Sequence, residues 1–155
     1  MISDKFIKEY LDKKLIKPEN IRIGHVEKLI QTAEKNLKAC ERILSVDGAC
    51  AYEIAYNAML HAGRAFVFIK GFRPTTNFQH KTVVDFTEHF LGKEYKVLID
   101  KFNYMRKNRN KLIYEPWRLH ISGTDAKNAL ESAKKFIDII KQNIQKENPQ
   151  KDFYF

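Results

Sequence analysis

Arg106, Lys107, Arg109 and Lys111 stand within six residues of one another with no acidic residue between them, and Asn110 and Tyr114 share the segment. These residue types suit a phosphate: guanidinium and ammonium groups supply charge, while amide and phenol supply hydrogen bonds. On a helix Arg106 and Arg109 lie about 60° apart and reach one anion together, with Lys107 and Lys111 adding charge around it. Tyr114 lies roughly 140° round from Arg109. The two share a site only if the helix loosens before Pro116, or if a second copy of the chain supplies the missing half. The same projection places Arg109 inside an apolar stripe of Leu98, Phe102, Met105, Leu112 and Ile113. A guanidinium cannot be left dry and unpaired. The seam is therefore wet, paired with an acid, or shared with an anionic ligand. An apolar stripe interrupted by arginine also fits a two-fold interface with a polar centre, so a homodimer is expected.

The charge balance points the same way. The 155 residues carry a net charge of +9. Residues 94–118 hold seven basic and three acidic residues, so this short stretch supplies +4 of that total. Such a concentration is the footprint of a phosphate-binding patch, although a solvated cationic helix end would look similar.

Helical periodicity runs through nearly the whole chain and strand signals are nearly absent. The pattern predicts helices over about Ser3–Leu15, Ile23–Leu44, Ala49–Lys70, His80–Leu91, Glu94–Tyr114 and from Ser122-Gly123-Thr124-Asp125 to Lys146. The expected fold is an all-α, up-and-down bundle of five to six helices. The third helix is apolar around most of its circumference and should be central, with Gly63 and its alanines allowing close approach. Asp47 is an expected N-cap, and Gly71 an expected helix stop. Residues Phe72–Gln79 read as an irregular connection. One domain over residues 1–148 is expected, followed by an aromatic tail at 149–155 that is either frayed or docked.

Several function classes find no support. No GxSxG, HExxH, GxxxxGK[ST] or GxGxxG pattern occurs, and no Cys/His cluster has metal-ligand spacing. Neither a metal nor a cofactor is expected. No apolar run approaches a membrane span and Met1-Ile2-Ser3-Asp4 does not open a signal peptide, so no membrane association is expected. Cys40 and Cys50 lack CxxC spacing and read as reduced thiols of a cytoplasmic protein. The five histidines are scattered. His61 reads as a hydrogen-bonded core residue, His80 as a helix-start residue with capping and chemistry both open, and His120 as one that could approach the basic helix.

Two stretches carry a family resemblance. Ala51–Ala65, followed by Lys70-Gly71-Phe72-Arg73-Pro74 and His80-Lys81, is similar to the central helix and turn of bacterial and archaeal HEPN proteins. Arg106-Lys107-Asn108-Arg109-Asn110-Lys111-Leu112-Ile113-Tyr114 resembles the superfamily's signature. That signature is an arginine, often followed by a polar residue such as asparagine, then four to six residues to a histidine. Together the resemblance covers most of residues 20–145. It implies a small all-helical fold and, for many members, metal-independent RNase activity of toxin or defence type at a homodimer cleft. Arg109 and Asn110 fit the signature, but Tyr114 occupies the histidine position, and a tyrosine titrating near 10 is a poor base at neutral pH.

Three functions follow as open expectations. The first is an endoribonuclease with Arg109 and Arg106 on phosphate, Asn110 orienting, and Tyr114 or a nearby histidine moving the proton. The second is a catalytically degenerate module that binds nucleotide, RNA or a minimal nucleotidyltransferase antitoxin. There the resemblance makes Tyr114 a candidate acceptor of nucleotidyl modification. The third is architecture alone, with the arginines paired to Glu53 or Asp85.

Overall fold

The computed structural model describes residues 4–155 and contains six α-helices with one two-stranded sheet among them. In chain order they are α1 (Lys5–Asp12), β1 (Ile16–Pro18), α2 (Ile23–Ile43), α3 (Gly48–Ile69), β2 (Phe72–Pro74), α4 (Gln79–Leu91), α5 (Lys96–Tyr114) and α6 (Gly123–Glu147). Short 3-10 turns at Lys93–Tyr95 and Pro116–Arg118 precede and follow α5. The all-α bundle expected from periodicity is observed, and among the described residues no helix is long and apolar enough to cross a membrane.

α3 is the centre. Tyr56, Met59 and Phe66 on it are fully buried, as are Ile30 of α2, Phe86 of α4, Phe102 of α5 and Phe136 of α6. Fully burying a large apolar side chain is worth about 1.5–3 kcal/mol, so this cluster outweighs any local propensity. Local signals still set the ends. The Asp47 carboxylate accepts from the Cys50 N–H at 3.0 Å and caps α3. Ser122 and Asp125 exchange hydrogen bonds in a capping box that starts α6. Gly71 adopts φ +89, the left-handed conformation that ends α3 at little steric cost.

The N-terminal segment departs from expectation. Ser3 lies outside the described residues, and α1 runs from its N-cap Asp4 only to Asp12. Lys14 turns at φ +56, and the chain becomes β1, which the periodicity missed because three residues are too few to show alternation. β1 pairs antiparallel with β2, Ile16 opposite Pro74 and Pro18 opposite Phe72, and Ile16 is buried in the core. Thr75 extends the strap: its N–H bonds the Leu15 carbonyl at 2.9 Å and its hydroxyl the Lys14 carbonyl at 2.7 Å. The connection read as irregular is thus held along its first half.

That strap is needed because α4 runs in the same sense as α3. His80 meets Tyr56, Val83 meets Gly63, Phe86 meets Phe66, and Phe90 lies under the Lys70 ammonium. The chain must therefore return along α3 before α4 begins. The aromatic tail is docked: the Tyr154 N–H donates to Glu27 Oε2 and its carbonyl accepts from Gln31, both at 2.6 Å, while Phe153 and Phe155 pack on the core. Cys40 and Cys50 are both free, and burial pushes the Cys40 thiol up to about 11.

Gly63 offers a direct test of the α3–α4 contact. A Cβ there would lie 2.5 Å from Val83 Cγ1. Alanine gains about 1 kcal/mol of helix propensity, but overpacking costs about 1–3 kcal/mol. Gly63→Ala is expected to lower stability by up to about 2 kcal/mol in urea unfolding, against the usual gain for glycine to alanine in a helix.

Candidate functional site

The buried seam of α5 is Ile99, Phe102, Met105, Asn108 and Leu112. The residue interrupting it is Asn108 and not Arg109, which corrects the projected stripe. Leu98 is only half-buried and Ile113 is exposed. An ideal projection treats one face as buried along the whole length, but here the seam drifts round the helix towards its C-terminus. Asn108 is the cheaper residue to bury, and its Nδ2 donates to the Tyr52 hydroxyl at 3.0 Å.

Released from the seam, Arg106 and Arg109 are half-exposed, while Lys107, Asn110 and Lys111 are exposed. Tyr114 is 75 % exposed. α5 stays α-helical through Tyr114, so it does not loosen in time to bring that residue onto the Arg109 face. One chain alone does not gather Arg109 and Tyr114.

What lies before the arginines comes from α3 and α4. Tyr56 is fully buried against Phe102, with ring centroids 5.7 Å apart, and its hydroxyl is 3.1 Å from His80 Nδ1. His80 sits in the first turn of α4, just after the N-cap Phe78. Arg64, two turns along α3 from Tyr56, donates to Gln79 beside it. Burial, then the Arg109, Arg64 and Arg106 guanidiniums, holds the His80 pKa below its ordinary 6.5. Burial raises the Tyr56 pKa well above the usual tyrosine range, although Arg106, Arg109 and Arg64 pull it down. The same three arginines therefore bear on both members of the pair.

No acid offsets this charge. Among the described residues the arginine salt bridges are Arg73 with Glu19 and Arg118 with Glu115; Arg64, Arg106 and Arg109 have none. The pairing with Asp85 considered above is not made, because Asp85 accepts from Lys81 and from the Tyr10 hydroxyl, both at 2.8 Å. Three guanidiniums whose charge bears on an imidazole held by Tyr56 suit an oxyanion, and their charge opposes a divalent cation. Among the described residues no group of three or more His, Cys, Asp or Glu side chains could hold a metal ion.

The Tyr56–His80 pair was not legible beforehand: both residues lie in stretches that carry the family resemblance, but 24 positions separate them and no spacing brings them together. His61 differs from expectation as well. It is half-buried and its Nδ1 has no partner among the described residues, with burial and Arg64 lowering its pKa. His120 does reach α5, but it lines a cavity with Lys101, Tyr104 and Asn108 on the flank away from Arg109.

The HEPN domain family matches residues 26–144, from early in α2 to near the end of α6. No curated protein matches the chain.

The two lowered histidines predict a pH dependence of stability. The unfolded chain binds protons at His61 and His80 from about 6.5 downward, while the folded chain resists them. Their contribution is intact above 6.5 and is lost as pH falls through the interval down to their folded values. Asp4 and Asp125, whose pKa values are lowered from 3.8, contribute in a separate window below that value. Urea midpoints between pH 7 and pH 5 are expected to fall, and His80→Asn to flatten part of that fall. A flat wild-type profile would show that His80 is solvated.

Proposed function

The chain belongs to the HEPN domain family, a family of nuclease or nucleotide-binding modules, and from that premise we propose that it is a metal-independent endoribonuclease of the toxin or defence type. The observation that carries this reading is the meeting of Arg64, Arg106 and Arg109, without acidic partners, on a neutral His80 anchored by Tyr56. The histidine missing from position 114 is replaced by one delivered from α4.

In this mechanism Arg109 and Arg106 hold the scissile phosphate, with Arg64 beside them and Lys107, Asn110 and Lys111 along the strand. Tyr56 engages Nδ1 of His80 and leaves Nε2 as the unclaimed nitrogen. With Nδ1 protonated and donating to the phenol oxygen, Nε2 is a base. It takes the proton of the ribose 2′-hydroxyl. The 2′-oxygen then bonds to phosphorus, the P–O5′ bond breaks, the departing oxygen takes a proton from water, and the His80 imidazolium returns its proton to the hydroxide so formed. The products are a 2′,3′-cyclic phosphate and a 5′-hydroxyl end. The lowered pKa keeps His80 free to accept at neutral pH, and the bound phosphate offsets the arginines once the imidazolium forms.

A second copy of the chain is part of the proposal. The arginine face is open on one protomer, and a two-fold partner would enclose the strand and exclude water. A second reading rests on the exposure of Tyr114 at the end of α5. That phenol is accessible to modification, which favours a binding module controlled by a nucleotidyltransferase-type antitoxin.

Cleavage of a mixed RNA pool in EDTA separates the two readings. Wild-type protein is expected to cleave, with the rate rising with pH below about 6.5 as His80 loses its proton. Loss of about 10²–10⁴-fold is expected in His80→Ala, and of about 10²–10³-fold in Arg109→Ala. Tyr114→Phe should cleave as wild type does. RNA binding without cleavage by any form would leave the binding module standing.

A further inference from the structure

Nine large apolar side chains are exposed among the described residues, and four of them, Val46, Ile113, Tyr114 and Trp117, lie at one end of the bundle. Val46 is in the turn between α2 and α3, Ile113 and Tyr114 close α5, and Trp117 is in the 3-10 turn that follows. The starts of α3 and α6 meet at this end. A Cβ on Gly48 would lie 3.5 Å from the Ile121 carbonyl oxygen and 3.7 Å from the Ala126 Cβ. α5 runs towards the same end, since Asn108 already meets Tyr52 in the first turn of α3. Val46 is 80 % exposed and Trp117 78 %. Single exposed apolar residues are ordinary, but several grouped on one end mark a contact surface.

Cations surround this end. Lys38 and Arg42 late in α2, Lys111 late in α5 and Lys127 early in α6 are exposed, and none has an acidic partner among the described residues. Lys38 and Arg42 border a shallow depression on α2 that Ala39, Ile43 and Val46 also line. The acids nearby are engaged. Glu41 pairs with Lys134 at 3.0 Å and Glu115 with Arg118 at 3.2 Å, while Asp47 and Asp125 accept from backbone N–H groups as caps.

We propose that this end of the bundle docks on an anionic lipid surface. Tryptophan and tyrosine suit the headgroup level, where the ring meets apolar atoms and the N–H or O–H stays wet. Val46 and Ile113 supply apolar atoms that enter the acyl boundary, as the buried face of an interfacial helix does. The unpaired cations meet the lipid phosphates, each tightening binding about fivefold. The shape favours a lipid surface over a protein. A protein partner packs best along a helical ridge or in a groove, whereas these side chains stand on the tips of separate elements and together present to a plane. Docking of this kind needs no membrane-spanning helix, and it stands whether or not the arginine face cleaves RNA.

Trp117 is the only tryptophan of the chain, so its emission reports the contact. The test titrates the full chain with vesicles of phosphatidylglycerol mixed with phosphatidylcholine, and with vesicles of phosphatidylcholine alone. A saturable blue shift is expected with the anionic vesicles, weakened by added salt, and no shift with the neutral ones. Val46→Asp should weaken binding about tenfold by placing a charge where apolar atoms enter. Arg42→Ala and Lys127→Ala should each weaken it about fivefold. All three positions are exposed, so helicity should be unchanged. Absence of a shift with anionic vesicles, an equal shift with neutral ones, or variants that bind as wild type does would overturn the proposal. So would a blue shift that grows with protein concentration without vesicles, which would assign this end to a second copy of the chain.

Discussion

The contact between α3 and α4 at Gly63 is the constraint on which the site depends. Because α3 lacks a side chain there, Val83 sits against its backbone, and α4 lies alongside in the same sense. The return connection this requires is extended, which is why β1 and β2 exist at all in an otherwise helical chain. Proline in both strands costs nothing in a two-stranded ribbon, where neither strand has a second neighbour to bond. With Val83 fixed, His80 one turn earlier falls beside Tyr56. Packing that looks purely structural thereby sets the position of the histidine on which all three arginines bear.

Electrostatics then give that histidine its character. Arg64, Arg106 and Arg109 are half-exposed, so water screens them from one another and the fold tolerates their proximity. Tyr56 is fully buried, His80 is half-buried beside it, and the charge of all three arginines bears on both. A cationic neighbourhood disfavours imidazolium and favours phenolate, yet burial disfavours both charged forms. For His80 the two effects act together, and for Tyr56 they oppose, with burial the larger. The pair is therefore neutral at rest. At neutral pH an anion that neutralised the arginines would favour the imidazolium.

Much of the fold could be read from the chain. The order of the helices from α2 on, the N-cap Asp47, the start of α6 at Ser122-Gly123-Thr124-Asp125 and the stop at Gly71 follow from periodicity and local chemistry, and all are observed. The sheet could not be read, since Ile16–Pro18 and Phe72–Pro74 are three residues each and only their pairing makes them strands. The error at α5 is more instructive. Positions 108 and 109 lie either side of the seam, and which one is buried depends on the angle at which α5 crosses its neighbours. No single-helix projection contains that angle. The resolution at Tyr52 is one hydrogen bond to an amide, whereas burying Arg109 would have required a carboxylate partner.

That one-residue rotation gives α5 two flanks of different character. It turns Arg106 and Arg109 outward towards Tyr56 and His80, and it turns Asn108 inward beneath the α5–α6 connection. A sequence with the arginine one position earlier would lose both features together, because a guanidinium at 108 would enter the cavity beneath the α5–α6 connection and leave the side of Tyr56 and His80. The dense run of Arg106-Lys107-Asn108-Arg109 is therefore not a uniform basic patch in this fold. The amide within it is the residue that the packing selects for burial, and its burial is what leaves the neighbouring guanidiniums free for an anion.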